Sequence, residues 1–158
     1  MSVLELFQYL EYSSALEEMR SSPWFFPVIA GLHLLGLAVL GGAVLIVDLR
    51  LLGLGLTRQP VARLAREAQP WLLAGLLVLL LTGALLFMCF ATKYYFLAAF
   101  WVKLASMLLV LLFTFSVRRR VVMADAASMS ATQSKLVALA SLSLWISVAL
   151  TGRLIGFP

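Results

Sequence analysis

Four long apolar runs, separated by short polar or basic stretches, dominate the chain from residue 24 onward. They predict helices over about 24–55, 70–91, 96–117 and 136–155. About 20 apolar residues in helical form cross a bilayer core, so each run is long enough to span. The first exceeds that length, which predicts a helix that tilts or projects from the membrane. Ser21-Ser22-Pro23 marks its start, a Ser cap followed by Pro at the first helical position. Pro27 is placed to kink it or delay its beginning. Pro70 is expected to open the second run, leaving Thr57 to Gln69 as a polar loop. Thr92-Lys93-Tyr94-Tyr95 makes a tight connection to the third run, which Arg118-Arg119-Arg120 is expected to end. A loop rich in Ala, Ser and Met then leads to Lys135. Ahead of all this, Val3, Leu6, Phe7 and Leu10 recur at helical spacing within residues 3–20 and predict one apolar stripe on a surface helix. The expected class is all-α: a four-transmembrane-helix bundle, residues 23–158, with a short N-terminal amphipathic interfacial helix, residues 1–22. No repeat of 20–50 residues is present.

Composition removes the soluble alternative. Of 158 residues, 63% are hydrophobic and 12% charged, with a mean hydropathy of +1.05. A soluble domain carries about a quarter charged residues; this chain could not cover its surface with polar groups. The net charge of +5 would hint at nucleic acid in a soluble protein, but here the basic residues flank apolar runs, where they set topology. No nucleic-acid partner is expected; the lipid bilayer is. Arg58, Arg63 and Arg66 fall between runs one and two, and Arg118, Arg119, Arg120 and Lys135 between runs three and four. The connection between runs two and three has only Lys93, and the N-terminal segment has Glu5, Glu11, Glu17 and Glu18 against Arg20. Positive charge marks the cytoplasmic side. Both termini are therefore expected on the periplasmic side of a bacterial inner membrane. A signal peptide would begin with a basic segment, so the first apolar run is expected to stay in the mature protein. A single cysteine, Cys89, excludes an internal disulfide and a Cys-rich metal site.

Titratable side chains inside a span are costly and are functional candidates by default. His33 and Lys103 stand out. With entry near Pro27 and Leu97, each lies roughly 9 Å below the outer surface at the helical rise. Arg153 lies nearer the outer end of the fourth run. The outer halves of the spans contain no Asp or Glu, so these groups either meet the acids of the N-terminal helix or form a cationic site for an anion. Haem b fits such a site. His33 would be the axial metal ligand, and Lys103 and Arg153 would hold the carboxylate tails. Met107, four residues after Lys103, or Met88 would complete the coordination; otherwise the iron is five-coordinate or takes a ligand from another subunit. Each group also has a plainer reading: Lys103 snorkels, His33 bonds a neighbouring helix, and the methionines pack. Gly36, Gly41 and Gly42 admit a flat macrocycle or, more simply, a neighbouring helix. Asp48 and Arg50 are expected to mark the cytoplasmic end of the first span, with Asp48 pairing to a loop arginine or Arg118 as the alternative. There is no phosphate loop, nucleophile triad, paired carboxylates or clustered copper motif.

The stretch His33-Leu-Leu-Gly-Leu-Ala-Val-Leu-Gly-Gly, then Asp48-Leu-Arg50-Leu-Leu-Gly, then Phe100-Trp-Val-Lys103-Leu, resembles a family of small uncharacterised bacterial four-helix membrane proteins over most of the chain. It is distantly similar to the membrane domain of copper-resistance-D-like proteins. It also resembles the four-helix membrane protoporphyrinogen oxidases, whose haem-linked site uses a histidine on an early span and a lysine after a tryptophan on a later one; His33 and Lys103 match those two positions. The resemblance implies a redox role but carries over no enzyme activity of the chain on its own. Two functions follow as expectations. One is electron transfer through haem, with a quinone or a redox protein as partner. The other is a cofactor-free structural or accessory subunit, as a homo-oligomer or in a larger membrane complex. A transporter ranks last, because the broken helices and inverted repeat expected of one are absent.

Overall fold

The computed structural model describes residues 2–123 and 130–155, with backbone alone at Leu10. The predicted loop ahead of Lys135 falls largely at 124–129, outside the described residues, as does the side chain of Leu10 in the predicted apolar stripe. Among the described residues all regular structure is helical.

The N-terminal segment forms two helices rather than one, α1 (Val3–Glu11) and α2 (Ser14–Ser21), broken at Tyr12 and an extended Ser13. Helix α3 (Phe25–Leu52) is the first long helix. It ends on Gly53, whose φ of +81° only glycine adopts without strain, and the Leu54 N–H closes the turn onto the Leu49 carbonyl. Helix α4 (Val61–Cys89) starts nine residues before the expected opening at Pro70, which lies inside it. The physical reason is local. Residues 61–69 are mostly strong helix formers, Leu64, Ala65 and Ala68 turn one face to the core, and Arg63 pairs with Glu67 one turn on at 2.9 Å. Together these outweigh the hydrogen bond that Pro70 cannot donate.

After α5 (Ala91–Phe96), the third long helix runs from Ala98 to Met123 as α6 (Ala98–Phe113), a π-helical turn (Thr114–Arg118) and α7 (Arg119–Met123). The arginine triplet therefore lies within the helix instead of ending it. Helix α8 (Ala131–Leu154) begins five residues before the expected start, on a capping box in which Ser130 and Gln133 satisfy each other's backbone N–H groups.

Helices α3 and α4 pack together along their length. A Cβ added at Gly75 would lie 2.8 Å from the Leu40 backbone nitrogen, and one at Gly36 would lie 3.3 Å from the Gly75 carbonyl, so the two backbones touch there. Helix α6 packs on α8, and α8 on α3; the third long helix meets α4 chiefly through α7. The bundle is thus closed at the end bearing Asp48 and Arg118. At the other end, where the chain enters α3 and leaves α8, a cleft is walled by residues of α3, α4, α6 and α8. The core is small and apolar, built on Leu40, Val44, Val47, Leu79, Val110 and Ala138. The outward faces are equally apolar: Leu77, Leu81, Leu108, Leu112 and Leu150 are all more than half exposed. Such a surface is stable against hydrocarbon and not against water.

Candidate cofactor and ligand site

His33 and Lys103 come together in the cleft, with Arg153 at its rim. Two adjoining cavities, of about 340 and 360 Å3, share His33, Leu34, Lys103 and Gly152 in their walls. Both volumes fall within the range of small-molecule sites. Met107, Trp145 and Arg153 line the first; Phe87, Tyr94 and Phe100 line the second. Met88, half-buried near the end of α4, lines neither. Of the two methionines singled out in the sequence, only Met107 shares a cavity with His33.

The histidine is oriented by residues that the sequence did not mark. Its Nδ1 lies 2.8 Å from Thr82 Oγ1, and that oxygen lies 2.6 Å from the Val78 carbonyl. Two oxygens this close need a proton between them, and a hydroxyl has one. Thr82 therefore donates to Val78 and accepts from His33 Nδ1–H. In the neutral ring this leaves a lone pair on Nε2. Gly83 makes room for the ring: a Cβ there would meet His33 Cε1 at 3.3 Å. Gly152 does the same for the lysine, since a Cβ would lie 3.5 Å from Lys103 Nζ. Lys103 makes no hydrogen bond or ion pair among the described residues.

Among the described residues, no carboxylate lines either cavity. The N-terminal acids do fold back, but to another purpose. Glu11 accepts from the Thr92 N–H at 2.7 Å and pairs with Arg20 at 3.6 Å, while Arg20 donates to the Cys89 carbonyl at 3.0 Å. Phe7 of α1 stands edge-on to Phe87 and Tyr95, at 5.2 and 5.7 Å between centroids. The segment thus braces the α4–α5 corner. Beneath it, Phe87 and Tyr94 each stack within 13° of parallel on Phe100. Burial raises the Tyr94 hydroxyl above the ordinary phenol range, with the neighbouring Cys89 adding to the effect, so it stays a neutral donor.

At the closed end, Asp48 takes the alternative foreseen for it. It is fully buried, and Arg118 Nε donates to its Oδ1 at 2.8 Å. Arg50 instead donates to the Gln59 and Thr57 carbonyls and ties down the α3–α4 loop. Asp48 Oδ2 and Ser141 Oγ are both buried, and the serine hydroxyl faces the carboxylate. Of the glycines, Gly36 serves helix packing, whereas a Cβ at Gly41 or Gly42 would meet nothing within 4 Å. No group of three or more His, Cys, Asp or Glu side chains able to hold a metal ion occurs among the described residues.

Four helices long and apolar enough to cross a bilayer, with lipid-compatible outer faces, define a multi-pass membrane protein. Residues 25–158 match the Family of unknown function (DUF6644), and the chain belongs to that family. Helices α1 and α2 lie outside the matched stretch. No curated protein and no solved structure matches the chain.

Proposed function

We propose that this chain is a bacterial inner-membrane protein that binds haem b in the cleft and takes part in electron transfer. The observation that supports the reading best is the histidine held by Thr82. Metal-bound histidines characteristically donate their other ring N–H to a fixed acceptor, which sets the tautomer and the ring plane; His33 has that arrangement before any metal is considered. The donor set agrees. His33 would hold the iron, Met107 lines the same cavity and would be a second ligand, and Lys103 and Arg153, also in its wall, would meet the two propionates. When bound, haem would supply one-electron chemistry; the chain would supply the ligand, the cations and the apolar side chains of Leu34, Leu37 and Leu79 around them. The electron partner is a quinone of the bilayer or a redox protein at the membrane surface.

The orientation belongs to the same reading. Arg58, Arg63, Arg66, Arg119, Arg120 and Lys135 gather at the closed end. Burial of Arg118 removes one charge from that surface without changing the balance. The cleft end carries Arg20, Lys93 and Arg153 among Glu5, Glu11, Glu17 and Glu18. The closed end then faces the cytoplasm and the cleft the periplasm. Expression with ample haem supply and purification in mild detergent should give a Soret band that His33→Ala abolishes while the bundle stays folded. A wild-type protein without that band would end the haem reading.

One observation favours a cofactor-free accessory subunit. Gly41 and Gly42 face open space, and Gly42, Ala38 and Ala43 line a groove on the outer face of α3 and α4, where a partner helix could approach closely. If it does, bulky residues at Gly42 disrupt assembly while His33→Ala leaves it intact.

A further inference from the structure

The aromatic cavity of the cleft adjoins the one that Met107, Trp145 and Arg153 line, and shares His33, Leu34, Lys103 and Gly152 with it. We propose that it is the site for a quinone or quinol of the bilayer, which deepens the redox reading above and rests on it for the electron partner, though not for binding.

Four features of the cavity select this ligand. Its wall is aromatic: Phe87, Tyr94 and Phe100 stack with ring planes 13–21° apart and centroids 5.1–6.3 Å apart. A further planar ring can join such a cluster edge-on or in offset stacking. Its polar groups are the Lys103 cation, the His33 ring and the neutral Tyr94 hydroxyl, with no carboxylate among the described residues. Lys103 Nζ, seated over Gly152 and with no hydrogen bond or ion pair among the described residues, calls for an acceptor oxygen, which a ring carbonyl or phenol oxygen supplies. The volume, about 360 Å3, suits a single substituted ring. Finally, the cavity reaches the exposed apolar surface of α3. Leu34 lines it and is 65% exposed on the face turned to lipid, so an apolar tail lies in the bilayer while the head group is held. A water-soluble ligand gains nothing from such an entrance. A free fatty acid could also pair with Lys103, but it leaves the aromatic wall unused.

His33 and Lys103 stand in both walls, so a ring held against Phe100 lies beside the histidine that the haem reading assigns to iron. That adjacency is what electron exchange between the two sites requires.

The test uses full-length protein in mild detergent, with and without haem, titrated with decyl-benzoquinone. Binding is read as quenching of tryptophan fluorescence, since Trp101 touches Phe100 edge-on at 5.9 Å. Saturable quenching is expected. Phe100→Leu should weaken it about tenfold, the scale of one lost aromatic contact. Lys103→Met, which keeps the stem and removes the charge, should weaken it comparably, and thermal unfolding confirms that each variant is folded. Decanoate should fail to compete. Quenching that never saturates, that is the same in folded Lys103→Met and wild type, or that decanoate reverses at equal concentration would overturn the proposal. The absence of a Soret band in the same preparation would overturn the haem reading alone.

Discussion

Asp48 and Arg118 are the residues whose burial has the clearest consequence. Each is charged, and each is almost or fully out of contact with solvent or lipid. Removing one member leaves an uncompensated charge in an apolar interior, which typically costs about 3–5 kcal/mol, whereas replacing both by apolar residues of similar size is often neutral or stabilising. Arg118→Met alone should therefore lower the unfolding midpoint sharply. Combining it with Asp48→Leu should recover most of the loss in the same thermal melt. If the double variant is as unstable as the single one, the pair holds the fold by more than mutual neutralisation. At this scale the sequence was informative wherever a charged or titratable residue broke an apolar run: His33, Lys103, Asp48 and Arg118 were all visible in that way. Thr82, Gly83 and Gly152 were not. They are ordinary in apolar helices, and their roles depend on how α4 and α8 are rotated about their axes, which hydropathy does not report when every face is apolar.

Among the helices, the α3–α4 contact decides how the bundle is held. Gly36 and Gly75 let the backbones meet, and the nearest atom to a Cβ at Gly75 is main-chain nitrogen, which cannot turn aside. Gly75→Val should push the helices apart and destabilise the protein by about 1–3 kcal/mol or more, the usual cost of overpacking. Gly42→Ala, with open space beside it, should leave the monomer's stability unchanged. Thermal unfolding of the two variants checks this, and equal effects would mean that Gly75 is not a close contact. Helix ends were less legible than helix existence. Pro70 looked like a boundary because proline usually is one, yet the nine residues before it form a helix with a buried face. Ser130-Ala-Thr-Gln133 did carry a readable capping signature for the start of α8; the polar residues around Lys135 masked it. The π turn at Thr114–Arg118 has no sequence signature. It falls where the helix carries Arg118 to Asp48, a tertiary demand.

For the whole molecule, the arrangement of charge separates two ends of the bundle, and the proposed orientation turns that separation into a measurable difference. Four helices in alternating direction place the start of α3 and the end of α8 together, and the connections α3–α4 and α6–α8 together. Position relative to the membrane thus has two possible senses, and the basic residues choose between them. Ser14, at the exposed start of α2, and Thr57, in the exposed α3–α4 loop, sample the two ends without touching the cleft or the buried ion pair. Cys89 is 3% exposed and is first replaced by Ala to remove background. In intact spheroplasts, an impermeant maleimide should then label Ser14→Cys and spare Thr57→Cys until the membrane is permeabilised. The reverse pattern would place the cleft toward the cytoplasm. The proposed haem and quinone sites would survive that reversal, since both are argued from side chains within the bundle. What would change is the side from which an electron partner reaches them, and the redox protein would have to be sought inside the cell.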